Sequence, residues 1–374
     1  MKKLIFKKLG KDIGAFFLIS IICLTTIVWI IQAVNYLDLI SEDGHSLSVY
    51  FSYTLFNLPK IISRLLPFIF ALSLFYTLLR YELNNELVIY WMNGISKNNI
   101  IHSILRISIF YFFVQIVLTS YIVPESLDKG RSYFRNSNVD LFTSIIKKKK
   151  FIDSVEDLTI FVDNKKNDNL FSIIIKEKMS DDESQIIIAQ EGRIVNESNS
   201  NKIILINGKI INTKQNNQNI IDFSEFILDL SNYNSNTISH PKTQEMSSKN
   251  LFKCLKKINE NKKYQETKKF FMGCNMEIKK SIIEEFLKRF FGPIFIILIG
   301  LTISLMVFIN KDQNKYRIKS SSIFIMSIIL ILISEITLRY SSLKISNMFI
   351  YTSIPISLFI ALYSYITLIQ KYKR

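Results

Sequence analysis

The sequence predicts an α-helical membrane protein with six transmembrane helices and an all-β, jellyroll-like domain inserted between helices 3 and 4. Three observations predict it. Six runs, Ile13–Val34, Ile61–Leu79, Ile100–Val123, Phe290–Ile309, Ser320–Leu338 and Phe349–Ile369, are each close to the ~20 apolar residues that cross ~30 Å of hydrocarbon, and most carry no charge or a single one near an end. Between the third and fourth runs lies a segment from about Pro124 to Lys280 that is too polar to enter a bilayer. Within it, short runs rich in Ile, Phe and Val alternate with polar turns, as strands do.

The first span follows Lys2, Lys3, Lys7, Lys8 and Lys11, a start that resembles a signal peptide. Its apolar run is too long for the core of one, and no small-residue cleavage site follows, so a retained anchor is expected. It ends in a wetter sequence with Gln32 and Asn35 three apart on one helix face, read either as an interfacial helix end or as the polar lining of a cavity. Lysines also follow the fourth span (Lys311, Lys315, Lys319, with Arg317) and close the chain (Lys371, Lys373, Arg374), whereas the loop after the first span is acidic (Asp38, Glu42, Asp43). The excess of basic residues in short cytoplasmic loops then puts both termini in the cytoplasm and the insert outside it.

The formal charge of +16 invites a nucleic-acid partner, but its distribution argues against one. Much of the excess lies in the orienting tails. Inside the insert the signs separate: Phe151–Glu245 has 9 Lys/Arg against 15 Asp/Glu (net −6), and Met246–Arg289 has 12 against 5 (net +7). No basic–aromatic module accompanies the charge. Of three cysteines, Cys23 lies in span one; Cys254 and Cys274 lie in the basic stretch, where an oxidising compartment allows a disulfide, although two free thiols are expected. His45, His102 and His240 are scattered, and no metal-ligand spacing appears.

Several polar residues stand near membrane ends. Lys60 and Arg64 open span two, Arg289 opens span four, and Glu335 and Arg339, four apart, close span five. Snorkelling explains cations there; a set of them at the outer leaflet also suits an anionic lipid headgroup. On the cytoplasmic side, Glu82–Ser96 reads as an amphipathic helix with Leu83, Leu87, Tyr90 and Trp91 on one face, Glu82 and Glu86 on another, and Gly94 as its stop. It is either an interfacial helix or a coupling helix that offers its acidic face to a partner.

The expected strands are Leu158–Val162, Leu170–Lys176, Gln185–Gln190, Lys202–Ile206, Lys209–Asn212 and Ile220–Leu230, with polar turns at Ser180–Ser184 and Glu197–Asn201. Asn207-Gly208 between two Ile-rich runs is a hairpin signal, and the regular spacing suggests a sandwich or jelly roll. Asp181, Asp182 and Glu183 read as a solvated turn. Asn250–Arg289 turns basic and helical, with Leu251, Leu255 and Ile258 in helical register, as a return to span four. No Walker A sequence occurs, no paired acid/base or metal cluster sits in the spans, and Glu335 is the one carboxylate well inside a span. The chain is therefore expected to be non-catalytic and to hold no cofactor.

The sequence resembles the LptF/LptG (YjgP/YjgQ) permeases of the lipopolysaccharide export ABC transporter. The resemblance is carried by Val28–Ile40 (VWIIQAVNYLDLI), Leu58–Leu79, Asn85–Ser96 (NELVIYWMNGIS), Ala189–Ile194 (AQEGRI) and Glu285–Ile294 (EFLKRFFGPI). The first and last of these look more like the F-type subunit. The resemblance implies six spans divided as 1–123 and 288–374, a periplasmic jellyroll over 124–245, and a basic helical connection over 246–287. It implies an inner-membrane heterodimer with an LptG-type sister permease on a homodimeric LptB-type ATPase, which binds the ATP, joined by a single-span LptC-type bridge. The cargo is lipopolysaccharide, taken from the periplasmic leaflet and passed by the jellyroll to the bridge. Glu86 matches the acidic position of the coupling helix, with Glu82, Leu87, Trp91 and Gly94 around it. The lipid cavity would draw on Gln32, Asn35, Arg64, Arg289, Glu335 and Arg339. Some relatives carry basic residues where Gln32 and Asn35 stand, which shifts expected phosphate contacts towards Arg64 or Arg339. The rival is a membrane sensor or scaffold whose β domain binds a periplasmic ligand without transport.

Overall fold

The computed structural model describes residues 2–37, 46–136, 148–155, 158–166, 169–180, 183–197, 200–214, 217–229, 242–259, 279–341 and 345–372. Asp38, Glu42, Asp43, Asp181, Asp182, His45, His240, Cys274, Lys373 and Arg374 lie outside the described residues. The chain divides into two compact units, one of Met1–Ile31, Phe56–Asp128 and Pro241–Arg374, the other of Gln32–Leu55 and Lys129–His240.

The first unit is helical. Its elements are α1 (Lys2–Asn35, whose last turn belongs to the second unit), α3 (Leu58–Leu83), which follows α2 (Leu47–Phe56), then α4 (Glu86–Met92) and α5 (Lys97–Val117), continuing through a π-helical turn Leu118–Ile122 into α6 (Val123–Asn136, which passes into the second unit after Asp128). After the insert come α7 (Ser248–Asn259), α8 (Lys279–Phe290), α9 (Ile294–Ser304) with a 3₁₀ turn Leu305–Phe308, α10 (Tyr316–Ser341) and α11 (Ile345–Tyr372). Its most enclosed element is α9, where every residue from Phe295 to Ser304 except Ile297 is buried. Gly300 lets it approach α5 closely, since a Cβ there would strike the side chain of Ser108. Hydroxyls in this interior bond to carbonyls three or four residues back (Thr302 to Leu298 at 2.8 Å, Ser108 to Ile104 at 2.9 Å), which satisfies them where no water is available.

Among the described residues, five stretches are long and apolar enough to cross a bilayer: Lys3–Asn35, Leu47–Leu83, Lys97–Tyr133, Tyr316–Ser341 and Met348–Ile369. A sixth counts if Lys279–Phe290 and Ile294–Phe308 are taken together, and that pair is bent by 45°. The span expected over Phe290–Ile309 falls on the second arm of this pair, Ile294–Phe308, which reaches spanning length only with the first arm added. Pro293, with no N–H and a ring that crowds the preceding turn, prevents α8 from running on into α9.

The second unit holds the sheet, with α2 beside the last turn of α1, where Tyr50 donates to the carbonyl of Ala33 at 2.7 Å. Strands β1 (Phe151–Val155), β2 (Leu158–Lys166), β3 (Asn169–Ser180), β4 (Glu183–Glu197), β5 (Ser200–Lys214) and β6 (Asn217–Asp229) pair antiparallel in strict sequence order. This corrects the jelly-roll topology: among the described strands the sheet is an up-and-down meander with no Greek-key crossing. Consecutive strands are joined by short connections, as at the expected turns, where Ser180 pairs with Glu183 and Glu197 with Ser200.

The Asn207-Gly208 hairpin is also corrected. The strand runs through it, so the two expected runs are one 15-residue strand, β5. Asn207 takes φ +51° and Ser172, in β3, takes φ +52°. Pairing skips these positions and resumes in unchanged register: Ala189 faces Gly208 and Glu191 faces Ile206, while Ile173 faces Ala189 and Phe171 faces Glu191. The inward-facing residues change parity there, from Leu170 to Ile173 in β3 and from Ala189 to Ile194 in β4. A crease therefore crosses the sheet, and buried residues from both sides of it, including Leu158, Ile175, Ile194, Leu205 and Leu228, form one core. Gly208 sits on the crease because an added Cβ would meet the Ile188 carbonyl and lie 2.5 Å from the Phe223 ring. Gly208→Val is expected to destabilise this unit by about 2 kcal/mol or more, read as earlier thermal loss of the β signal in circular dichroism and faster proteolysis within residues 151–229.

Candidate functional site

The corner between α3 and α5 is built by three short-range signals. α3 ends at Leu83, Asn85 takes a left-handed conformation (φ +59°), and α4 begins at Glu86. α4 stops at Gly94 (φ +72°), whose N–H bonds to Trp91 while the N–H of Ile95 reaches back to Tyr90 at 3.1 Å, closing the helix end. Ser96 then caps α5, its hydroxyl accepting from the N–H of Asn99.

This division corrects the expected single amphipathic helix over Glu82–Ser96. Glu82 belongs to α3 and is buried, its Oε1 accepting the N–H of Lys311 at 2.8 Å, so it ties α3 to the loop after α9. Glu86 turns back onto α1, where Lys8 Nζ lies 2.8 Å from its carboxylate. One turn further along α1, Asp12 accepts from the Tyr81 hydroxyl at 2.7 Å and lies 3.5 Å from Arg80. Tyr90 meets Tyr81 edge-on at 5.9 Å; burial is the main reason its phenol is pushed up, so it stays neutral at physiological pH. Leu87 and Ile95 are buried below, and Lys97 lies over both Trp91 and Phe308 at 5.7 Å. What α4 turns outward is apolar, not acidic: Val88, Ile89 and Met92 are exposed, Met92 at 82%.

Sequence reasoning missed Lys8, Asp12 and Tyr81. Lys8 stood among orienting lysines, and only its four-residue spacing to Asp12 on one helix face marked the pair.

The residues expected in a lipid cavity are not brought together as one set. Arg289 is fully buried, and all five of its N–H groups have acceptors. Nε meets Glu285 at 3.0 Å, Nη1 meets Met246 O and Ser248 Oγ at 2.8 and 3.1 Å, and Nη2 meets Gln244 O and Thr243 O at 3.1 and 3.4 Å. Its assignment to lipid is therefore corrected: it fastens the segment ahead of α7 onto α8. Arg64 is exposed on α3, with Lys60, Lys288 and Lys242 near enough to one another to interact electrostatically, alongside Glu245. Glu335 and Arg339 are both exposed on α10. Gln32 is half-buried and Asn35 exposed at the end of α1. Cys254, expected as a free thiol, is disulfide-bonded and buried with Leu251 and Ile282, whereas Cys23 is free. Sequence spacing carries no information on the Cα approach that such a bond requires. Among the described residues no His/Cys/Asp/Glu cluster with metal-binding geometry occurs.

Residues 8–369, and so both units with the corner just described, match the family model of the lipopolysaccharide export system permease LptF/LptG. The chain belongs to the LptF/LptG family. It is also similar, at 22% identity over 243 residues, to an uncharacterized protein of Rickettsia prowazekii (strain Madrid E), covering 65% of this chain and 67% of that one. LptF/LptG membership implies a permease of the lipopolysaccharide export system, and together with the apolar helices it suggests a multi-pass inner-membrane protein.

In this LptF/LptG chain, Arg289→Ala leaves the Glu285 carboxylate and four acceptors without their buried partner. A loss of about 3–5 kcal/mol is expected, seen as a melting temperature in detergent well below that of the parent, and Arg289→Lys does not restore it because an ammonium cannot span the same five acceptors.

Proposed function

We propose that the chain is an F-type permease subunit that extracts lipopolysaccharide from the periplasmic leaflet of the inner membrane and passes it to a periplasmic bridge. In this reading it has six spans, the bent pair counting as one, with both termini cytoplasmic and the sheet in the periplasm. The spans occupy 1–123 and 288–374, the β domain 124–245 and the basic connection 246–287. Its partners are an LptG-type sister, a homodimeric LptB-type ATPase that binds the ATP, and an LptC-type bridge. The lysine-rich short loops support the orientation, as does the disulfide at Cys254, since such bonds persist in oxidising compartments.

The observation that carries the coupling role is the outward face of α4. Val88, Ile89 and Met92 stand exposed on a helix whose other face is locked into the corner, as an apolar plug needs to be to enter a partner's cleft. Glu86 flanks this plug, and Gly94 sets the angle at which it is presented. Met92→Asp is expected to cut recovery of the ATPase in mild-detergent purification about tenfold or more with the chain's own melting temperature unchanged. A parent chain that purifies with no ATPase would instead favour the sensor or scaffold.

For the lipid, Arg64 and Arg339 supply exposed cations, Glu335 lies one turn from Arg339, and Gln32 and Asn35 add neutral polar groups at the end of α1. An exposed carboxylate such as Glu335 within a span is costly against hydrocarbon, so it suits a cavity or the sister subunit. The β unit has an open groove of about 570 Å³ at the crease, lined by Phe161, Ile174, Ile188 and Phe223 together with the polar Ser172, Gln190, Asn207 and Lys209, and its apolar part suits acyl chains. Each CH₂ removed from water is worth ~0.8 kcal/mol, so a multi-chain lipid needs shelter of this kind as well as ATP. Replacing Arg64 and Arg339 together by Ala is expected to lower photo-crosslinking to lipopolysaccharide at unchanged expression; equal crosslinking would leave snorkelling as their role.

A further inference from the structure

The attachments of α1 are concentrated at its inner end. Leu9, Ile13, Phe17 and Ile21, four apart, are buried along one stripe, and Phe16 stacks on Tyr76 at 4.3 Å. The carbonyl of Ile13 accepts from Ser73 at 2.7 Å. Below these lie the two charged contacts, Lys8 with Glu86 at 2.8 Å and Asp12 with Tyr81 at 2.7 Å. Past Thr25 the helix carries Ile27, Ile30 and Ile31 exposed. Through Glu86, the same α1 that is packed along α3 is also bonded directly to α4, which has only seven residues of its own.

We propose that Lys8 and Asp12 are positioning residues that couple α4 to α1, so that displacement of α4 is carried into α1 as a unit. The inference rests on the reading of α4 as the docking helix and adds the path by which its movement enters the membrane. A short helix held at Asn85 and Gly94 by residues at positive φ is free to tilt only as its side-chain contacts permit. Two such contacts lead towards α1: the Glu86–Lys8 ion pair, and the edge-on meeting of Tyr90 with Tyr81, which is bonded to Asp12. Because α1 is one unbroken helix of 34 residues, a force on its first turns reaches its full length. Lys8 is 53% exposed and Glu86 19%, so the pair is strong enough to transmit and weak enough to be remade in each cycle.

The test uses the full transporter, with this chain and its partner chains reconstituted in proteoliposomes, and reads both ATP hydrolysis and lipopolysaccharide released per ATP. In Lys8→Ala the ATPase is expected to stay bound and hydrolysis to stay unchanged, while lipopolysaccharide released per ATP falls about threefold, with Lys8→Arg restoring it. Tyr81→Phe, which keeps the ring and removes only the bond to Asp12, is expected to lower the same ratio without shifting the melting temperature. An unchanged ratio in both variants overturns the proposal, as does a fall in hydrolysis that accounts for all of the lost release. Absence of ATPase from the parent complex is a separate result: it removes the docking reading of α4, and this inference with it.

Discussion

A polar group in the interior of the helical unit has no water to turn to, and its partner must come from the chain itself. Arg289 shows how far this constraint reaches. Its five donors draw in one carboxylate and four other oxygens, and three of those are backbone carbonyls of a segment more than forty residues earlier. The same demand makes Glu82 seek the N–H of Lys311, and it sends the hydroxyl of Ser73 on α3 to the carbonyl of Ile13 on α1. Each such bond fixes a connection that apolar packing alone would leave loose, since Leu and Ile faces slide against one another at little cost.

The sheet meets a different constraint. Its long strands need one face dry, and a flat meander of six strands cannot cover its own core. The crease resolves this by bending neighbouring strands at one line. The bend requires left-handed backbone at Ser172 and Asn207, a residue without a Cβ at 208, and a change of parity on either side. Asn-Gly is the usual mark of a hairpin because both residues tolerate positive φ. Here the same tolerance serves a bend within a strand.

These two solutions bear on the function in different ways. The crease gives the β unit an open groove lined by aromatic and aliphatic side chains with polar ones among them. The polar contacts at this corner leave α4 with Glu86 turned inward onto α1 and Val88, Ile89 and Met92 outward. For a helix expected to meet a partner this is the favourable arrangement, because desolvating Val88, Ile89 and Met92 gains free energy, whereas desolvating a carboxylate costs it.

The sequence by itself determined the class of the protein. Length and hydropathy of the apolar runs and the alternation within 151–229 are local properties, so the spans and the presence of strands could be read directly. The stop at Gly94 was legible for the same reason: it acts through its own backbone. Only the tertiary structure decided which polar residues are spent inside. Arg289 and Glu82 carry the same chemistry as Arg64 and Glu86, and no local pattern says that the first two face hydrogen-bond partners in their own chain. The disulfide at Cys254, the crease at Asn207 and the Lys8–Glu86 bond likewise depend on segments distant in sequence coming within a few ångströms, a distance that spacing along the chain does not encode.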